Sequence, residues 1–186
     1  MEVIIIILIC VVFLGIIFSS GDEGSAKPSI RPSAVNSTIQ DKDVDALAVL
    51  LHLEGFKPSV KADKKNGFSE KDVHDDLEIY LKKLYHSVTR EHAIDGKNVK
   101  RIDFDLGNGR VGIEVKLAES VLSESENDRL IGQAQKYAGR KYGANLIIAL
   151  AGYSHHTRNT IIHELKMDVE RSGAHFIFLK ARTPRK

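Results

Sequence analysis

The chain has 186 residues, and its 42% hydrophobic and 28% charged content is typical of a globular domain, not of a disordered or multi-span membrane protein. Lys and Arg total 27 against 25 Asp and Glu, which excludes a strongly basic protein that coats DNA. Any nucleic-acid contact must therefore come from a local patch. The single cysteine, Cys10, excludes an internal disulfide framework and a cysteine-based zinc cluster.

The chain begins with an apolar run from Val3 to Phe18. A helix over this run would span roughly 24 Å, close to the hydrocarbon core of a bilayer. We predict that residues 1–20 form a transmembrane anchor that contacts the membrane through residues 3–18. A cleaved signal peptide, and hence a secreted protein, is the alternative, although Glu2 is atypical of one. Positive charge follows the run, which predicts a single-pass membrane protein with its domain in the cytoplasm.

Two segments separate this run from the predicted domain. Residues 21–40 are rich in Ser, Pro and Gly and predict a flexible linker. Residues 41–66 predict a short helix over Asp43–Glu54 followed by a charged loop, because Gly and Pro residues come directly after the helix. Residues 67–186 then form the main globular domain.

Within that domain, Ser69 and Asp72 predict a capped helix start, and apolar residues continue the helical spacing as far as Val88. The later elements predict an α/β fold with a mixed sheet flanked by helices. They are strands over Ser87–Ile94, Lys100–Leu106 and Arg110–Leu117, a helix over Glu126–Tyr142, a strand over Asn145–Ala151, a helix over His156–Ser172 and a strand over Ala174–Lys180.

The dipeptide Asn108-Gly109 predicts a two-residue hairpin turn and so fixes the register of the strands on either side. One face of the hairpin is then apolar and carries Ile102, Phe104, Leu106, Val111, Ile113 and Val115. The opposite face is polar and pairs Asp105 with Gly112, Asp103 with Glu114, and Arg101 with Lys116.

The polar face of the hairpin carries the chemistry. Asp103 and Glu114 face each other as like charges, which is unfavourable unless a positive group lies between them. With the Val115 carbonyl they offer the hard oxygen ligands that Mg²⁺ accepts. Lys116 could then position a water or stabilise charge on a phosphate. The alternative is a solvent-facing hairpin with ordinary surface charges.

The helix that follows carries Gln133 and Tyr137 on one face, since they are four residues apart. Taken alone, Gln133 could be a solvated residue and Tyr137 a core aromatic. Together with Asp103 and the Glu114-Val115-Lys116 triplet, however, the Gln133-x-x-x-Tyr137 pattern resembles the PD-(D/E)xK nuclease superfamily, in its RecB-type variant with a QxxxY helix. The element order from Ser69 to Ala151 is similar to the αβββαβ core of that restriction-endonuclease-like fold.

The resemblance implies metal-dependent hydrolysis of phosphodiester bonds. Asp103, Glu114 and the Val115 carbonyl would hold Mg²⁺ or Mn²⁺, and Lys116 would assist the attacking water. Gln133 and Tyr137 would orient the site or contact the strand, while Lys136, Arg140 and Lys141 would bind phosphates. No proline precedes Asp103, unlike the family pattern, and Asp105 is a second candidate for the motif acid. The family often adds an acidic residue on its first helix. Glu70 fits best and could join the metal ligands, with Glu78 and Asp76 as alternatives. Glu91, on the strand before the hairpin, could be another neighbour of the site.

The sequence thus predicts a membrane-tethered, Mg²⁺-dependent nuclease that acts on nucleic acid, with DNA as the expected substrate. A catalytically inactive module of the same fold, which binds nucleic acid or a protein, is the alternative, and a membrane-anchored scaffold is a third hypothesis. A homodimer would suit an enzyme that cuts both strands of a duplex. The residues leave open DNA against RNA, the strandedness of the substrate, and endonuclease against exonuclease action.

Overall fold

The computed structural model describes residues 38–59, 69–94 and 100–181, all within one compact unit, Asn36–Lys186. The predicted anchor, its apolar run 3–18 and nearly all of the predicted linker lie outside the described residues. Within the described ranges, no helix is long and apolar enough to cross a membrane.

The described chain forms an α/β domain around a five-stranded mixed sheet, as the sequence predicts. The strands are β1 (Val88–Ala93), β2 (Arg101–Leu106), β3 (Val111–Leu117), β4 (Leu146–Gly152) and β5 (His175–Lys180). They are adjacent in chain order. The β1–β2 and β2–β3 pairs are antiparallel, and the β3–β4 and β4–β5 pairs are parallel. The helices are α1 (Ala46–Gly55), α2 (Glu70–Leu84), α3 (Glu124–Tyr137) and α4 (Thr160–Arg171).

Local capping sets where the helices begin and end. Helix α2 starts at the predicted capping box, in which Ser69 and Asp72 satisfy each other's backbone N–H groups. Helix α1 starts later than predicted because Asp45 accepts hydrogen bonds from the N–H groups of the first turn. Helix α4 likewise begins at Thr160, directly after the Asn159 cap and four residues after the predicted start. Beyond α3 the chain continues in one π-helical turn, Ala138–Tyr142, where the sequence predicts α-helix.

Helices cover both faces of the sheet. On one face, α1 and α2 contribute Val49, Leu53 and Leu77 to a core that includes Ile147 and Ala149 of β4. On the other face, α3 and α4 pack against the alternate residues of the same strand. Every residue of β4 is buried, which explains its continuous apolar sequence.

The β2–β3 hairpin has the predicted register near its turn. Its ladder pairs are Phe104–Ile113, Asp105–Gly112 and Leu106–Val111. The turn itself is longer than predicted, because the Arg110 N–H donates to the Leu106 carbonyl oxygen at 3.1 Å. Gly107, Asn108 and Gly109 all have positive φ, at 62°, 54° and 95°. This conformation strains most side chains and explains the two glycines.

Away from the turn, β2 and β3 separate. The pairs predicted for Asp103 with Glu114, Ile102 with Val115 and Arg101 with Lys116 do not form, since the ladder ends at Phe104–Ile113. Instead, the Val115 N–H donates to the Asp103 carboxylate at 2.7 Å. Ile102 leaves the predicted apolar face and joins the core under α3 and α4. The separation leaves room between the two strands for side chains from neighbouring elements.

The segment before α1 is fastened to the hairpin turn. The Asp41 carboxylate accepts from the Asn108 amide at 2.6 Å and from the Ser87 hydroxyl at 2.8 Å. The Arg110 guanidinium donates to the Val44 carbonyl oxygen at 3.0 Å. Residues far apart in the chain therefore hold the turn in place.

Gly112 lies under a buried aromatic ring, so Gly112→Ala tests the packing of the hairpin. An added Cβ would lie 2.7 Å from Tyr142 ring carbons, and Asp105 holds that ring through a 2.6 Å hydrogen bond. We expect the free energy of unfolding to fall by about 1–3 kcal/mol, the usual cost of overpacking a core. Urea unfolding followed by circular dichroism measures it. Gly139→Ala is the control, because no atom lies within 4 Å of its Cβ position; an equal loss there would contradict the explanation.

Candidate active site

The ammonium group of Lys116 lies among three carboxylates where β2 and β3 separate. Its Nζ is 3.0 Å from Glu70 Oε1, 3.4 Å from Glu114 Oε1 and 3.9 Å from Asp103 Oδ2. It also donates to the Val115 carbonyl oxygen at 3.0 Å. Helix α2 supplies Glu70, β2 supplies Asp103, and β3 supplies the other three groups. Residues distant in sequence therefore form one charged cluster.

Glu114 and Lys116 are buried, whereas Asp103 and Glu70 are partly exposed, so these two β3 residues are not ordinary surface charges. Glu114 is only 2% exposed and Lys116 only 8%. Burial raises the pKa of Glu114 to about 8, and the neighbouring Asp103 carboxylate contributes to the increase. Burial by itself would lower the pKa of Lys116, but the surrounding carboxylates outweigh it and raise that pKa. Lys116 is thus a cation at neutral pH.

His74 is a neighbour of the cluster that was not predicted from the sequence. Its Nε2 lies 3.5 Å from Asp103 Oδ2, and its ring meets Phe104 edge-on. His74 is one helical turn after Glu70, so both side chains leave α2 on the same side. The four-residue spacing from Glu70 could have predicted that His74 lies near the cluster. The apolar residues of α2 around it instead indicate a helix face that packs in the core.

Helix α3 places the predicted glutamine and tyrosine next to the cluster. The Tyr137 hydroxyl donates to the Arg101 carbonyl oxygen at 3.2 Å, and Gln133 Nε2 donates to that hydroxyl at 3.4 Å. Burial raises the pKa of Tyr137, and the nearby Glu114 carboxylate contributes to the increase. Tyr137 is 4% exposed and packs in the core, so it is both a core aromatic and a neighbour of the cluster.

Of the acids proposed for the first helix, only Glu70 contacts the cluster. Asp76 accepts from the Ser59 N–H, and Glu78 pairs with Arg90. Glu91 is exposed and pairs with Arg101. These three candidates have partners elsewhere in the domain.

Asp105, the second candidate for the motif acid, has a different environment. Its carboxylate accepts from the Tyr142 hydroxyl at 2.6 Å, from Lys141 at 3.1 Å and from the Gly109 N–H at 2.7 Å. Lys141, one of the residues predicted to bind phosphates, is therefore engaged in an ion pair at the hairpin turn. Arg140 is exposed on the π-helical turn, and Lys136 lines a pocket beside Gln133 and Tyr137.

Buried polar atoms without a partner are concentrated at the cluster. In the described part of the chain, four buried side-chain polar atoms make no hydrogen bond, and three of them are His74 Nε2, Glu114 Oε2 and Gln133 Oε1. Such atoms in a native protein usually bind water or an ion.

The oxygen ligands suit a magnesium ion, although the described residues contain no group of three or more His, Cys, Asp or Glu side chains positioned to hold a metal. Mg²⁺ retains several waters and uses one or two carboxylates, so it needs fewer protein ligands than such a group. Asp103, Glu114 and the Val115 carbonyl are oxygen groups of this kind, and all three lie beside Lys116.

Comparison with known proteins found no matching family model, no matching curated protein and no matching solved structure.

The raised pKa of Glu114 predicts how stability depends on pH in the absence of divalent cations. Between about pH 5 and pH 8 the native chain keeps a proton on Glu114 that the unfolded chain has lost. The free energy of unfolding should therefore fall as the pH rises through this window, by up to about 1.4 kcal/mol per pH unit. Urea unfolding in EDTA at several pH values measures the slope.

Glu114→Gln should flatten that slope, because the titrating group is gone. The matched control is Glu164→Gln on the exposed side of α4, which should keep the slope of the parent chain. Equal slopes for the parent and Glu114→Gln would contradict the assignment of this pH dependence to Glu114.

Proposed function

We propose that the chain is a metal-dependent nuclease that hydrolyses phosphodiester bonds, with DNA as the expected substrate. The observation that carries the proposal is the convergence of Asp103, Glu114 and Lys116 at the β2–β3 separation, with Tyr137 and Gln133 beside them. Two carboxylates, a lysine and these two α3 residues are the groups whose order in the sequence resembles the PD-(D/E)xK nucleases.

The arrangement of elements supports the finer fold assignment. We propose that α2, β1, β2, β3, α3 and β4 form the αβββαβ core of a restriction-endonuclease-like fold. Three antiparallel strands followed by a parallel one, with a helix on each face, agree with this assignment. In this scheme α1, α4 and β5 are additions to the core.

Each residue near the cluster would have a distinct role. Asp103, Glu114 and the Val115 carbonyl would hold Mg²⁺ or Mn²⁺, which supplies charge neutralisation for the phosphate and a lower pKa for bound water. Lys116 is a cation, so it would orient the attacking water and stabilise negative charge on the phosphate rather than accept a proton. Glu70 would hold Lys116 in place, since its carboxylate accepts from Nζ at 3.0 Å.

His74 and Gln133 would complete the surroundings of the reacting groups. His74 Nε2 faces the Asp103 carboxylate and is otherwise unpartnered, so it would restrict where that carboxylate can move. The Gln133 amide oxygen would accept a hydrogen bond from a water near the carboxylates.

A catalytically inactive module with the same fold remains the second candidate. The Lys116–Glu70 ion pair favours it, because this contact already satisfies the ammonium group without a substrate. Membrane attachment through residues 3–18, the cytoplasmic location and a homodimer stay predictions from the sequence.

The experiment that tests the nuclease uses the full chain, purified in a mild detergent because an apolar anchor is predicted. We expect circular DNA to be cut in Mg²⁺ and not in EDTA. Lys116→Ala should lower the cleavage rate about 100-fold or more, the usual effect of removing a group that stabilises transition-state charge. Gel electrophoresis of circular and linear DNA measures cleavage.

Lys166→Ala is the matched control, because this exposed lysine on α4 loses the same charge far from the cluster in sequence and pairs only with Glu170. It should cut at the rate of the parent chain. If a folded parent cuts no DNA or RNA in single- or double-stranded form, the inactive module becomes the better assignment.

Metal binding is tested separately with Asp103→Asn. The amide oxygen of asparagine can still accept from the Val115 N–H, so the strand geometry should survive while the charge is removed. A divalent cation at 100 times its dissociation constant should stabilise the parent by about 2.7 kcal/mol, and the variant much less. Thermal unfolding with and without Mg²⁺ or Mn²⁺ measures the effect.

The control for metal binding is Asp168→Asn, on α4, which should respond to the cation as the parent does. A Mg²⁺-induced shift in the unfolding temperature of Asp103→Asn equal to that of the parent would place the cation elsewhere.

A further inference from the structure

A basic pocket of about 380 Å³ lies between the start of β2 and one side of α3. Arg129, Gln133 and Lys136 line it from α3, at the three- and four-residue spacing that aligns side chains on one helix face. Lys100 and Arg101 line it from the sheet. Of these four cations, only Lys136 was predicted from the sequence to bind phosphate.

The pocket lining is positively charged, and two of its four cations form ion pairs with glutamates outside the lining. No Asp or Glu is among the described residues that line it. Arg101 and Arg129 each pair with an exposed glutamate, Glu91 and Glu126 respectively. Exposed pairs of this kind contribute little and exchange readily for another anion. Lys100 and Lys136 form no ion pair with any residue that the structure describes.

The pocket adjoins the carboxylate cluster through Tyr137. The Tyr137 hydroxyl donates to the backbone carbonyl oxygen of Arg101, which lines the pocket. The negative charge of Glu114 contributes to the raised pKa of the same hydroxyl. Gln133 lines the pocket and contacts this hydroxyl. An anion in the pocket would therefore be adjacent to the groups proposed to cut the strand.

We propose that this pocket binds a backbone phosphate of the nucleic-acid strand, next to the phosphate that reaches the carboxylate cluster. The proposal rests on the nuclease function and adds a binding site that needs no metal. Guanidinium groups bind phosphate through paired hydrogen bonds, and lysines bind it as point charges. The one aromatic ring in the lining, Tyr137, is buried, so it offers no face on which a base could stack. The cations of the lining contact phosphate, which is the same at every nucleotide, so the pocket binds strands without regard to base sequence.

Gly132 provides a direct test, because it lines the pocket and no atom lies within 4 Å of its Cβ position. Gly132→Glu therefore brings a carboxylate to the pocket without a clash at Cβ. The matched control is Gln135→Glu, which adds the same charge to an exposed position of α3 that does not line the pocket.

The measurement is binding of the full chain, in detergent and EDTA, to fluorescent single-stranded and duplex DNA of several sequences. We expect Gly132→Glu to weaken binding about tenfold or more for all sequences, the effect of removing a charge-assisted hydrogen bond. The slope of log K against log salt should fall by about 0.7–0.9 for each phosphate that the variant no longer binds. Gln135→Glu should keep the affinity and salt slope of the parent.

Several outcomes would overturn the proposal. They are no binding by the parent in EDTA, equally weakened binding in the two variants, unchanged binding in both, or a strong preference for one base sequence. Inorganic phosphate is added as a competitor. If phosphate displaces the DNA at a concentration similar to that of the DNA itself, the pocket is an isolated anion site and not a strand-binding one.

The pocket and the nuclease can fail independently. If Lys116→Ala abolishes cleavage but Gly132→Glu binds DNA as the parent does, the nuclease stands and the pocket is wrong. If the parent cuts nothing and Gly132→Glu alone fails to bind DNA, the pocket stands and the chain is a binding module.

Discussion

The hydrogen bond from the Val115 N–H to the Asp103 carboxylate is the contact on which the candidate site depends. It satisfies a buried N–H group at the point where β2 and β3 stop pairing, so the strands can separate without an unpaired donor. The separation lets α2 bring His74 to Asp103 and Glu70 to Lys116, while α3 places Tyr137 near Glu114. A charged acceptor thus takes the place of a ladder bond where the charged cluster forms.

The cluster is costly for the fold. Burying Glu114 and Lys116 with both groups ionised would remove two charges from water, and their mutual attraction would offset only part of the desolvation cost. The raised pKa of Glu114 expresses that cost directly, because its carboxyl group stays protonated over much of the physiological pH range. Replacing such a cluster by well-packed apolar residues is often neutral or stabilising, and perturbed groups of this kind are concentrated at functional sites.

The sequence predicted those features that local patterns encode. Alternation and the Asn108-Gly109 signal fixed the register near the turn, and helical spacing identified Glu70 as the acid nearest the cluster. The prediction from the sequence failed where tertiary contacts decide the structure. No local pattern shows where the β2–β3 ladder ends, so the sequence did not predict that Ile102 joins the core under α3 and α4. The π-helical turn after α3 brings Tyr142 onto Asp105 and Gly112, and this contact depends on residues far away in the chain.

The long-range contacts of the hairpin have a kinetic consequence. Asp41 bonds Asn108 across 67 residues, and Glu70 bonds Lys116 across 46. Contacts that close such large loops form slowly, because the chain loses much entropy before it gains their energy. A nascent chain would also expose Asp103 and Glu114 before α3 has been synthesised. We therefore expect the charged cluster to assemble late in folding, after α2 and α3 have docked on the sheet.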